Sequence, residues 1–261
     1  MQEYWIKQVA TKPAFPDILW SRPENKQSAG KLLIIGGNLH SFIAVGQAYQ
    51  AASVAGAGTV KVLLPAALRR TVGGTLENCE YANSNISGSF ARSSLAELLL
   101  QSDWADAVLL AGDFGRNSET ATVLEAFVQK YKGQLIITHD AIDYFFAEPK
   151  FILDRDNTCI VGSTAQIQKL ATGAHYNQAI TTSMDLARLV SVLHDFAKEH
   201  SAHLITHQLG TTIVVSENKV SSTKTGSGED IWRVSTAATA SVFWMQNFEK
   251  PFESITTSLV V

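Results

Sequence analysis

Short apolar runs alternate with longer, helix-prone stretches along this chain. Residues 31–35 (KLLII) are almost wholly apolar and stop at Gly36-Gly37, the pattern of a buried parallel strand followed by a tight turn. The alanine-rich stretch 44–55 favours a helix, Gly56-Ala57-Gly58 ends it, and residues 59–64 (TVKVLL) supply β-branched residues for the next strand, closed by Pro65. Such a β-α-β unit predicts a right-handed crossover and a parallel sheet. The pattern recurs with a strand at 107–111, a helix at 119–131 and a strand at 134–138. Further on it predicts short strands at 151–153 and 158–161, a helix over 184–199, a strand at 203–205, a hairpin formed by 211–215 and 219–221, and a last helix over about 230–246. The whole is a doubly wound α/β arrangement with helices on both faces of a mostly parallel central sheet. No repeat or linker interrupts it, so residues 1–261 are expected to form one domain, with 1–21 as an N-terminal extension.

With 46% hydrophobic and 17% charged residues, a chain of 261 residues has enough apolar side chains for one large core. A formal charge of -3 creates no field that would draw in nucleic acid or an anionic membrane, so a phosphate must be held locally and the partner is a small molecule. Cys79 and Cys159 stand far apart outside any C-x-x-C arrangement, which excludes a disulfide framework or a thiolate metal site. Acids, a lysine and prolines break up the first twenty residues, no later run reaches membrane-spanning length, and a cytoplasmic location is expected.

Ligands of open α/β sheets collect beyond the carboxyl ends of the strands, so the turns there are where chemistry is to be sought. Thr225-Gly226-Ser227-Gly228-Glu229-Asp230 directly precedes the last helix. Two glycines free the backbone to aim N–H groups inward, the helix start adds positive partial charge, and the carboxylates of Glu229 and Asp230 supply an acid/base group. The competing reading makes Ser227, Glu229 or Asp230 a simple helix cap. Gly36-Gly37-Asn38 is a second glycine turn and does not continue into G-x-G-x-x-G. In Gly112-Asp113-Phe114-Gly115-Arg116-Asn117, Arg116 suits a phosphate clamp and Asp113 a hydroxyl or metal contact, against an exposed loop with an internal ion pair. Thr138-His139-Asp140-Ala141 offers His139 or Asp140 as acid or base, against a surface turn with an Asp cap. His194, His200, His203 and Glu199 match no standard zinc spacing, and no metal site is assigned to them.

Taken together, these turns resemble the bacterial ADP-dependent NAD(P)H-hydrate dehydratase family, a carbohydrate-kinase-like branch of the ribokinase-like superfamily, over residues 22–246. ENKQSAGKLLIIGG resembles the family's S-H-K-G-x-x-G-x-V-L-V-I-G-G, ADAVLLAGDFGRN its A-D-A-x-x-x-G-P-G-L-G-R, IITHDAID its V-L-D-A-D-A-L, and TGSGED its G-G-T-G-D. LGTTIVV is similar to the segment after its K-G. The resemblance implies a ribokinase-like fold and removal of water from hydrated NADH or NADPH, driven by ADP or ATP with Mg2+, in a homo-oligomer of up to four chains. It puts Ala44, Asn38, Asp113, Asp140 and Ser163 at the substrate and Gly226, Ser227 and Gly228 at the phosphate. Gly210, Thr211 and His207 fall near the nucleotide, and Glu229, with Asp230 one residue on, at the catalytic acid. The family's P-H-x-G-E reads GSTAQ here, its nucleotide lysine is His207, and the first aspartate of D-A-D is Thr138. These departures bring in two alternatives, a catalytically silent nucleotide-binding homologue and a small-molecule kinase of the same superfamily.

Overall fold

The central strands are apolar on both faces and therefore need helices above and below them. In the computed structural model, which describes residues 3–74, 76–225 and 232–260, they have them. The strands are β1 (Trp5–Gln8), β2 (Lys31–Gly36), β3 (Thr59–Pro65), β4 (Cys79–Ala82), β5 (Ala107–Gly112), β6 (Gln134–Thr138), β7 (Thr158–Val161), β8 (His203–Gln208), β9 (Thr211–Ser216) and β10 (Lys219–Lys224). The helices are α1 (Asp17–Trp20), α2 (Ile43–Val54), α3 (Arg69–Val72), α4 (Leu95–Trp104), α5 (Ser118–Lys130), α6 (Lys150–Leu153), α7 (Thr164–Gly173), α8 (Leu186–Ala197), α9 (Trp232–Gln246) and α10 (Pro251–Thr257).

All ten strands join one sheet in the order β1-β10-β9-β8-β7-β6-β5-β2-β3-β4. Only β9 runs against the rest, because the two-residue turn Leu209-Gly210, with both φ positive, folds it back on β8. The strand order reverses between β2 and β5: from β2 the chain winds outward through β3 and β4, and from β5 the other way through β6, β7 and β8. Alternation along each strand sorts the core into two layers. Leu33, Ile35, Val108, Leu110, Leu135 and Ile137 meet α4, α5, α7 and α8, whereas Leu32, Ile34, Leu109, Ile136 and Val161 meet α2, α9 and α10. The fold is thus doubly wound, as the apolar pattern predicts.

Three sequence expectations need correction. Residues 151–153, predicted as a strand, belong to α6, which starts directly after Pro149 and buries Ile152 and Leu153; so short an apolar run has no periodicity to tell strand from helix. The helix predicted over about 230–246, described as α9 from Trp232, is not the last, since α10 follows with Pro251 in its first turn. Within residues 1–21, β1 pairs with β10, with Trp5 Nε1 donating to Ser222 Oγ at 2.8 Å and Gln8 Nε2 donating to Thr256 O at 2.7 Å. Among the described residues no helix is long and apolar enough to cross a membrane.

The three histidines near the end of α8 go to separate partners. His194 stacks on Tyr4 with ring centroids 3.5 Å apart, His200 Nδ1 lies 2.5 Å from Asp154 Oδ1, and His203 is buried beside Trp244 with Nδ1 2.8 Å from Ser216 Oγ. Burial pushes His203 down to about 4, so it stays neutral in the fold while the unfolded chain takes up a proton near pH 6.5. The stability present above pH 6.5 is therefore lost as the pH falls through that value toward 4, by about 3 kcal/mol in all. Urea unfolding across pH 4–7 should show this slope in the wild type and a flatter one in His203→Gln; equal slopes would contradict it.

Candidate active site

The strand order reverses between β2 and β5, the place where open α/β sheets hold ligands beyond the carboxyl ends, and glycine lets the two backbones meet there. Gly37 N donates to Gly112 O at 2.9 Å, and a Cβ on Gly36 would stand 2.5 Å from the same carbonyl. Gly37, Gly112, Asp113 and Gly115 all have positive φ, so the chain turns sharply above both strand ends. Asp113, at φ 59, is among the less common non-glycine residues in this region, where Asp and Asn are the best tolerated. Its Oδ2 accepts from Ala44 N at 2.7 Å in the first turn of α2, and its carbonyl accepts from Asn38 Nδ2 at 2.6 Å. Asn38 is buried, and its Oδ1 accepts from His40 N at 2.8 Å. Asn38, Ala44 and Asp113 are thus brought together at the switch point, with these polar groups engaged with one another.

The end of β6 adds the next group. Thr138 is buried and donates from Oγ1 to Val161 O at 2.8 Å, and His139 follows with φ 56. His139 Nδ1 lies 3.3 Å from Asp140 Oδ1, and Asp140 Oδ2 accepts from Gly115 N at 3.2 Å. The hydrogen bond to Asp140 holds His139 above the ordinary imidazole value, against the opposing effects of burial and Arg233. A cavity of about 660 Å³ beside this turn is lined by Arg116, Asn117, Asp140, Tyr144 and Lys169. Arg116 is exposed there and forms no ion pair among the described residues, so the internal pair with Asp113 is replaced by the bond of Asp113 to Ala44. Tyr144 donates to Gly115 O, and burial pushes its phenol up to about 12.

Ser163 caps α7 through a capping box with Gln166: Ser163 Oγ accepts from Gln166 N at 3.2 Å, and Ser163 N donates to Gln166 Oε1 at 3.1 Å. Gln166 Nε2 also donates to His139 O and to Asp143 Oδ1, both at 2.8 Å, while its Oε1 accepts from Arg233 Nη1 at 2.9 Å. Neither Gln166 nor Arg233 was among the residues singled out from the sequence. Gln166 was legible as the fourth position of an S-x-x-Q box. Arg233 was legible as a cation in the first turn of a helix, where the macrodipole disfavours it.

At β8 and β9, His207 Nδ1 is 3.1 Å from Thr212 Oγ1, which lies 2.8 Å from Thr225 Oγ1, and burial lowers the His207 pKa. Gly210 sits in the hairpin turn, where its carbonyl accepts from Thr225 N at 3.1 Å, and Thr211 is buried at the start of β9. His207, on β8, stands three strand spacings from β5, roughly 14 Å, with Thr212 one strand and Thr225 two strands further out. Gly226, Ser227, Gly228, Glu229 and Asp230 lie outside the described residues. At the opposite, amino ends of β2 and β3, a separate cavity of about 610 Å³ is lined by Arg22, Lys26, Tyr49 and Glu77.

No known sequence family matches the chain, and no curated protein does. Solved structures do. A ribokinase-like superfamily protein of Enterococcus faecalis V583 superposes with a TM-score of 0.72 at 16% identity, covering 100% of this chain and 86% of that one. The fold is ribokinase-like. A protein of Streptococcus mutans gives a TM-score of 0.71 at 20% identity, covering 94% of this chain and 87% of that one. The ADP/ATP-dependent NAD(P)H-hydrate dehydratase of Bacillus subtilis, co-crystallised with ATP/Mg2+, gives 0.62 at 10% identity, covering 95% and 86%. At such identities the likeness carries the ribokinase-like fold and leaves the chemistry to the residues of this chain.

The tightness of the switch point is testable. A Cβ on Gly112 would meet Cβ and Nδ1 of His139 at 2.7 Å in a backbone conformation of φ 111, whereas one on Gly46, inside α2, would meet nothing within 4 Å. Gly112→Ala should cost about 2–3 kcal/mol in urea unfolding and Gly46→Ala should stabilise by about 0.5–1 kcal/mol. Equal effects at the two positions would contradict this packing.

Proposed function

We propose that this ribokinase-like protein binds ADP or ATP, brought with Mg2+, and uses it to remove water from hydrated NADH or NADPH. The observation that carries the proposal is the line of groups along the carboxyl ends of the strands. Asn38, Asp113 and Asp140 lie at the β2–β5–β6 end and His207, Thr212 and Thr225 at the β8–β9 end, with Gln166 and Arg233 between them. Roughly 14 Å separates β5 from β8, the facing strands of the two ends, a span that suits a substrate at one end and a nucleotide at the other, with phosphates between. The guanidinium of Arg233 and the hydroxyls of Thr212 and Thr225 are donors of the kind that phosphate oxygens accept from. The Bacillus subtilis dehydratase of the same fold, crystallised with ATP/Mg2+, supports the choice of nucleotide.

In this reading the Gly226-Ser227-Gly228 turn receives the transferred phosphate and Glu229, or Asp230 beside it, takes the proton of the substrate hydroxyl. A nucleotide-binding protein without catalysis is the second reading, favoured by the engagement of Asn38, Asp113 and Ser163 with their own neighbours. A small-molecule kinase shares the nucleotide end and differs in the acceptor.

Saturating ADP or ATP with Mg2+ should raise the melting temperature, since a ligand at 100 times its Kd adds about 2.7 kcal/mol. Gly228→Val should abolish that shift while the apoprotein keeps its own unfolding midpoint, because a branched Cβ would block the approach of phosphate. Restoration of NADH absorbance from its hydrate identifies the dehydratase, a phosphorylated sugar or vitamin precursor identifies the kinase, and nucleotide binding with neither identifies the silent binder. An unchanged melting temperature with either nucleotide would overturn the proposal.

A further inference from the structure

His139 is held on both its backbone and its ring. Its φ of 56 places a non-glycine residue in the left-handed region at the end of β6, and three contacts keep it there. Gln166 Nε2 holds its carbonyl at 2.8 Å, Asp140 Oδ1 faces its Nδ1 at 3.3 Å, and its Cβ and Nδ1 lie against the backbone of Gly112, where a Cβ would come within 2.7 Å. A carboxylate oxygen only accepts, so in the neutral ring Nδ1 carries the proton and Nε2 keeps its lone pair. The side chain is 36% exposed, and Nε2 has no hydrogen-bond partner among the described residues. A buttressed imidazole with an open second nitrogen is the arrangement of a general base.

We infer that His139, positioned by Asp140 and Gln166, is a second catalytic base of this site and takes the proton that dehydration removes from carbon. The inference rests on the dehydratase reading. In that reaction the substrate hydroxyl first acquires the terminal phosphoryl group: the new O–P bond forms, the donor's terminal P–O bond breaks, and the hydroxyl proton leaves. The C–O bond then breaks and phosphate departs with the bonding pair, helped by the lone pair of the ring nitrogen. The neighbouring C–H pair becomes the new C=C bond, and its proton passes to Nε2 of His139, which later releases it to water. The hydroxyl proton leaves in the first step and the carbon proton in the second, and for the second His139 stands beside Asp113 at the end of β6.

The groups facing His139 are Asp140 from its own turn, Asp113 from the β5 turn and Arg233 from α9. The hydrogen bond to Asp140 is the largest influence and strengthens the imidazole as a base; the charges of Asp140 and Asp113 act in the same direction, and burial and Arg233 oppose them. Because the base must be unprotonated, kcat should fall on the acid side with a midpoint above the usual imidazole value. The Asp140→Asn change should move that midpoint to lower pH.

The test is the pH profile of hydrated NADH repair with ATP and Mg2+ in four proteins. His139→Asn keeps a residue that tolerates positive φ and should lower kcat by at least about a hundredfold, with loss of the acid limb. His139→Gly fits the same backbone and should recover part of kcat on addition of imidazole, a response that a purely structural role would not give. Asp140→Asn should shift the acid limb downward. A wild type that repairs the hydrate alongside a His139→Asn protein of equal kcat and unchanged profile overturns the assignment and leaves the reaction standing. A wild type that binds nucleotide and repairs no hydrate overturns the reaction and the assignment with it.

Discussion

The close approach of two glycine backbones at the reversal of strand order is the constraint on which the rest of the site depends. Gly37 N–H meets Gly112 C=O at 2.9 Å, and neither Gly36 nor Gly112 has room for a Cβ. β2 and β5 are neighbours here while their following helices depart to opposite faces, so the turns above the two strand ends are set by this backbone contact. The residues that follow the strand ends are Asn38 after β2, Asp113 after β5 and the His139–Asp140 pair after β6.

Two of those residues, Asp113 and His139, hold positive φ, which costs of order 1–3 kcal/mol each for non-glycine residues and less for an aspartate. The compensation is local and visible. Asp113 bonds Ala44 N and Asn38, and His139 is held by Gln166 and Asp140. Gln166 links this strained turn to the start of α9 through Arg233, so the β6 turn and α9 share one hydrogen-bonded support. A site whose parts are pre-set in this way loses little freedom when it closes around a ligand.

The sheet and its winding were legible in the chain because the strands 31–35, 59–64, 107–111 and 134–138 are apolar without interruption and bounded by glycine or by helix formers. The elements that escaped, β1, β4, α4 and α7 among them, are short or carry mixed polarity, and their place is decided by long-range pairing such as Trp5 with Val220. The turn residues Asn38, Asp113, His139 and Asp140 could be picked out by their position after strands. What they do with one another could not, because the bonds from Asp113 to Ala44 and from Gln166 to His139 join residues 69 and 27 positions apart. Ser163 shows the same limit, since a position that resemblance assigns to substrate is engaged in capping α7.

The most direct test of the central claim is crystallographic: a complex with ADP, Mg2+ and NADH, in which the position of the ligand density is read against the strand ends. The account predicts density at the carboxyl ends, touching Asn38, Asp113 or Asp140 on one side and Thr225 or His207 on the other. Density confined to the cavity at the amino ends of β2 and β3, against Arg22, Tyr49 and Glu77, would contradict it.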